Sequence, residues 1–165
     1  MTTRAVSLSE RLAASVDQFM ESLEALPENA WETFLPGEEK TVAALVHHVA
    51  WAMEAESAAF LTMTEGGGDT GWTEEWLDAA NREQAEVHAH DDRDSPLVHM
   101  HKSADSAVQR VSGLSDDELG RRGRHMPGEP EHSVSEWIEI CLIGHPREHL
   151  PAIESLLPRS SADDR

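Results

Sequence analysis

Apolar residues recur every three or four positions through most of the chain, a spacing that predicts helices rather than strands. The first stripe is Leu8, Leu12, Val16, Phe19, Leu23 and Leu26, with Ser7 or Ser9 as its cap and Pro27 as its stop. From Pro27 to Lys40 the turn formers Asn29, Pro36 and Gly37 alternate with Trp31, Phe34 and Leu35, so this stretch reads as a loop folded over one end of the core. Behind Thr41 a second stripe runs through Val42, Leu45, Val46, Val49, Met53 and Phe60 until Gly66, Gly67 and Gly68 end it. A third begins at Thr73 and carries Trp76, Leu77, Ala80, Gln84 and Val87. The polar run from His90 to Pro96 breaks it, and Leu97, Met100, Ala104, Val108 and Val111 resume the spacing to Gly113. Ser115 to Leu119 reads as a turn, and Gly120 to Pro130 holds too many glycines and prolines for a regular element. Ser133 or Ser135 caps the last helix, predicted from Val134 to Leu157 and stopped by Pro158. No segment alternates with a period of two. The pattern is that of an all-α chain, most simply a four-helix bundle with a broken third helix and long loops.

With 165 residues the chain suits one domain, taken as 1–158, with 159–165 as a disordered acidic tail. A formal charge of -19 disfavours duplex nucleic acid and anionic membrane surfaces as partners, which would repel it, and favours a small-molecule substrate. No run is long and apolar enough to span a bilayer, and the N-terminal residues lack a signal-peptide core. With a single cysteine, Cys141, no intrachain disulfide can form, and a cytoplasmic location is expected.

The charge changes little about the fold, but the histidines change the picture of function. His145 and His149 lie four residues apart, one above the other on a helix, on the face that carries Val134, Ile138, Cys141, Leu142, Ile153 and Leu156. Buried imidazoles need hydrogen-bond partners or a metal ion. On the second helix His48 is predicted to face inward, whereas His47, rotated by roughly 100°, is predicted to point away. Three neutral imidazoles from two facing helices would make a transition-metal site with an open position. Zinc or nickel leads, and cobalt, iron and manganese also suit imidazole. Pro146, between the two histidines, predicts a kink, or a restart with His145 as its cap.

At these residues the chain resembles the DinB-like (YfiT-like) superfamily of metal-dependent enzymes. The matching pieces are Thr41 to Trp51, Ser115 to Leu119 and His145 to Ile153, in that order, within a resemblance running from about Leu8 to Leu157. It implies an up-down-down-up four-helix bundle whose metal is held by one histidine of the second helix and two of the fourth, here His48, His145 and His149. Relatives include bacillithiol- and mycothiol-dependent S-transferases and the metal-binding domain of mycothiol-dependent maleylpyruvate isomerase. They imply a low-molecular-weight thiol as cosubstrate and a homodimer as the assembly. Asn81 falls where relatives also carry a polar residue.

Other residues carry weaker readings. Cys141, one turn before His145, is a candidate fourth ligand or reactive thiol, beside the plainer reading of a small buried hydrophobe. Arg121, Arg122 and Arg124 are candidates for holding an anionic thiol or substrate, although they could simply balance Asp116, Asp117 and Glu118. Glu148 or Glu56 could orient an imidazole. His88 reads as partly exposed near a helix end, and His90, His99, His101, His125 and His132 as surface residues. Trp51, Trp76 and Trp137 read as core. Two functions follow. One is a metal-dependent enzyme that transfers a thiol to, or isomerises, a small electrophile, with hydrolysis as a variant. The other is a non-catalytic bundle that binds a small molecule or a metal.

Overall fold

The fold is known from a computed structural model that describes residues 2–35 and 37–157. Four helical rods form the bundle: α1 (Thr3–Glu24), α2 (Val42–Thr62), α4 (Asp94–Ser112), and a last rod that runs α6 (Val134–Trp137), a π-helical stretch (Ile138–Ile143) and α7 (Gly144–Glu154). A further helix, α3 (Glu74–Val87), packs on α2 from outside, and the short α5 (Asp116–Gly120) leads into the last crossing. Two antiparallel strand pairs of two residues each brace the loops: β1 (Phe34–Leu35) with β2 (Lys40–Thr41), and β3 (Arg122–Gly123) with β4 (His132–Ser133). The chain is an all-α bundle, and the predicted broken third helix is two separate helices. Only α4, the second of them, enters the bundle. No residue of α3 is buried, and Trp76, predicted as core, is 45% exposed.

The caps explain most boundaries. Thr41, Thr73 and Ser133 each accept a backbone N–H of the helix that follows, and Ser133 and Ser115 complete capping boxes with Glu136 and Glu118. Ser115 to Glu118 therefore starts a helix rather than a bare turn. The first helix begins earlier than expected because Thr2 accepts from the Ala5 N–H and Ala5 is already buried. Gly68, at φ 78°, ends the π-helical extension of α2 (Met63–Gly67). The expected stop at Pro158 and the tail 159–165 lie outside the described residues.

The core is contributed by Leu12, Phe19 and Leu23 of α1, Leu45, Met53 and Phe60 of α2, Met100 of α4, and Ile138 and Leu142 of the last rod, with Trp31 closing one end. The helix α2 is central: every residue from Val42 to Ala50 is buried. It therefore has no solvent face over its first half, and the prediction that His47 points away fails for that reason.

The π-helical stretch corrects the expectation of a helix restarting at Pro146 with His145 as its cap. Proline lacks the N–H that would bond the Leu142 carbonyl, and its ring crowds that carbonyl. Just upstream the winding opens to five-residue spacing, with the Gly144 N–H donating to the Glu139 carbonyl. Helix α7 then runs through His145 and Pro146 without a break. The Ser15 hydroxyl, at 2.8 Å from the Ile143 carbonyl, ties this region to α1.

Candidate metal centre

His48 comes from the buried first half of α2, and His145 and His149 from successive turns of α7. One ring nitrogen of each lies within 4.8 Å of the others. Nε2 of His48 faces Nε2 of His145 at 3.1 Å, and the ring centroids of the three are 4.9 to 5.4 Å apart. Burial pushes both the His48 and His145 imidazoles down to about 3, and the neighbouring histidines and Lys40 push the same way. Both are neutral near pH 7, so each keeps a lone pair.

Two residues from other elements flank the centre, Glu38 and Asn81. Glu38, in the turn between β1 and β2, lies 2.9 Å from Nδ1 of His149. A carboxylate there holds the proton on Nδ1 and leaves Nε2 bare. Asn81, on α3, is close enough to His48 to favour its charged form, yet Asn81 Oδ1 and His48 Nδ1 are both buried without a full hydrogen bond. A small rotation would pair them and leave the His48 Nε2 lone pair toward His145. A cleft of about 280 Å3, lined by Glu38, Glu39, Lys40, Asp78, Asn81, Arg82 and Ala85 and by none of the three histidines, opens beside these two residues. A larger depression of about 600 Å3 between α1 and the last rod is not lined by any of the three histidines. Its polar groups already pair with one another, Arg11 with Glu139 and Arg4 with Ser135.

A sequence model described as the DinB superfamily matches residues 11–153. The chain belongs to the DinB superfamily. No curated protein matches it. A crystal structure of a mycothiol-dependent maleylpyruvate isomerase, bearing a histidine-to-alanine substitution, superposes on 93% of this DinB-superfamily chain with a TM-score of 0.74. Identity is 13%, and the match spans 63% of that longer chain, so the likeness is one of fold.

The other candidates fall elsewhere in this DinB-superfamily bundle. Cys141 is not beside the three histidines; its sulfur groups with Glu56 and His125. The π-helical winding puts it out of step with His145. Burial, then the carboxylates of Glu56, Glu129 and Glu148, push the Cys141 thiol upward, opposite to what a reactive thiol needs. Glu56 bonds His125 rather than a histidine of the centre, at 2.9 Å, and Glu148 is exposed; the orienting carboxylate is Glu38 instead. His125, predicted on the surface, is buried; desolvation opposes its charge, but Glu56 and Glu129 outweigh it and raise its pKa. Arg122 pairs with Glu131 and Glu136 and Arg124 with Asp69, rather than with the acidic run that precedes them, and Arg121 is exposed. His47 is also turned inward, toward His88 and Asp91, and His99 meets His47 from α4. Among the described residues no helix is long and apolar enough to cross a membrane.

Proposed function

We propose that this chain is a metal-dependent enzyme whose centre is His48, His145 and His149, and that it transfers a low-molecular-weight thiol to a small electrophile or isomerises one. The observation that carries the reading is the donor set itself. A buried and a half-buried imidazole, both held neutral, face each other through Nε2, and a third has its Nδ1 engaged by Glu38. A transition-metal ion fits this donor set of three imidazole nitrogens within 4.8 Å of one another. Such an ion, most simply zinc or nickel, would lower the pKa of a bound thiol or water and so furnish a nucleophile near neutral pH.

The chain's own residues do the rest. Glu38 fixes the proton position on His149, and Asn81 lies beside His48. Lys40, whose charge is felt at His48 and His145, and Arg82 at the cleft rim offer cations to an anionic substrate. The fold likeness to a mycothiol-dependent isomerase supports thiol chemistry over hydrolysis.

The test is metal content of the purified chain together with thiol-dependent loss of a small electrophile. About one equivalent of metal at this centre and turnover that both vanish in His145→Ala support the enzyme. Metal binding without turnover across a panel of thiols and electrophiles would reduce the protein to a metal-binding bundle.

A further inference from the structure

The faces of α2 carry two histidine groups. We propose that His47, His88 and Asp91 form a second binding site for a divalent first-row transition-metal ion, independent of the three-histidine centre.

The convergence is close. Nε2 of His47 and Nδ1 of His88 each lie 2.9 Å from the same oxygen, Oδ2 of Asp91. The two imidazole rings stack with centroids 3.7 Å apart and planes 16° from parallel, so binding would tilt them apart to bring both in-plane lone pairs to one ion. Ligand atoms 2.9 Å apart subtend about 90° at an ion roughly 2.05 Å from each, which is the angle of an octahedral or square-based site. Widening the separation by about 0.4 Å would reach the tetrahedral angle zinc prefers. Without an ion, both nitrogens and the Ser95 hydroxyl, 3.1 Å away, meet at one carboxylate oxygen, and the same hydroxyl lies 3.3 Å from His47 Nε2. With an ion, the same nitrogens present lone pairs, each imidazole stays neutral with its proton on the other nitrogen, and Asp91 offsets part of the charge.

An outer shell is already in place. Nδ1 of His99, on α4, sits 2.8 Å from Nδ1 of His47, and Nε2 of His99 is 3.7 Å from Glu54. A proton on His47 Nδ1 directed at His99 leaves His47 Nε2 as the ligand atom. His47 is only 4% exposed, while His88 and Asp91 keep side-chain exposures of 22% and 29%, which lets an ion enter from solvent. Two imidazoles and one carboxylate select zinc, nickel, cobalt, iron(II) or manganese over calcium and magnesium.

The placement also gives the site a structural role. His88 caps the C-terminus of α3, and Asp91 lies in the link to α4. Because α3 buries no residue, an ion bridging His88 and Asp91 to His47 would staple its end to α2. Asn81, which supports the first centre, rides on the same helix.

The experiment is equilibrium dialysis of the metal-free full chain against cobalt(II), with bound metal counted by mass spectrometry and folding checked by circular dichroism. Wild type should hold two equivalents, His145→Ala with His149→Ala one, and His88→Gln with Asp91→Asn one. If the three-histidine centre takes no metal but this site does, wild type holds one equivalent that survives His145→Ala with His149→Ala. The ion retained in that variant should have the visible spectrum of nitrogen and oxygen ligation. No metal in that variant would overturn the proposal. So would a thiolate-to-cobalt charge-transfer band, which would assign the ion to Glu56, His125 and Cys141.

Discussion

Replacing Gly123 by alanine tests how the loop over the last rod is held. A Cβ at Gly123 would stand 1.7 Å from the carbonyl oxygen of Gly68 and 2.6 Å from its carbon. Both are backbone atoms, so no side chain can swing aside, and the two segments must part by about 1.3 Å to reach even 3.0 Å. That movement pulls on the Gly123 carbonyl, which accepts from Trp137 Nε1 at 2.9 Å, and on the bond from the Thr70 N–H to the Arg124 carbonyl at 3.1 Å. Two bonds at about 1 kcal/mol each, one of them buried, plus the strain of overpacking, give a loss of about 2–4 kcal/mol. In urea, with a slope of roughly 1–3 kcal/mol per molar, the midpoint should fall by about 1–2 M. Gly120→Ala is the control, because a Cβ there meets nothing within 4 Å, and its midpoint should stay close to wild type. A Gly123→Ala midpoint indistinguishable from the control would refute the close approach.

Glu38→Ala removes the carboxylate that orients His149 and should weaken metal binding at the three-histidine centre by about 10–100-fold, read by competition with a chromophoric chelator. Its fold should be unaffected, since Glu38 lies in a turn. The Glu56–His125 pair predicts a pH dependence. His125 has its pKa raised in the folded chain above the unfolded value of about 6.5, so its stabilisation is complete below that pH and fades as pH rises through the folded value. Urea unfolding of wild type from pH 6 to pH 9 should therefore lose more stability than Glu56→Gln, and parallel profiles would count against the pair. Ser133→Ala removes the capping box of the last rod and should cost about 1 kcal/mol, measured in the same assay.

Much of this architecture is legible in the residue pattern. The helical periods, the caps at Thr41, Thr73 and Ser133, and the one-turn spacing of His145 and His149 are local signals, and DinB-superfamily membership follows from their order. What escapes is set by tertiary context. His47 looks outward by angle alone, but Ala43, Ala44, Val46, Val49 and Ala50 make α2 apolar all round, the mark of a helix buried on every side. That signal is in the sequence for a reader who weighs composition above phase. Glu38 is 111 residues from His149 and sits in a turn, so no spacing rule could pair them. The stripe of α3, Trp76, Leu77 and Ala80, has helical period without burial, because the bundle has room for only one of the two helices after the glycine loop. Cys141 is misplaced for a different reason: a constant 100° per residue does not hold across a π-helical turn.

That turn makes the last rod a ruler with one extra mark. Ser133 and Trp137 anchor its near end to the loop and β3, and His145 and His149 belong to its far end. Rewinding Ile138 to Ile143 as ordinary helix, at about 100° per residue instead of the smaller step of a five-residue spacing, would turn everything beyond it by roughly 100° relative to the anchor. Both histidines would leave the His48 side together, their mutual spacing intact and their motif unchanged to any search by sequence. The three-histidine cluster of this protein is thus specified by the winding of this stretch as much as by the identity of its residues.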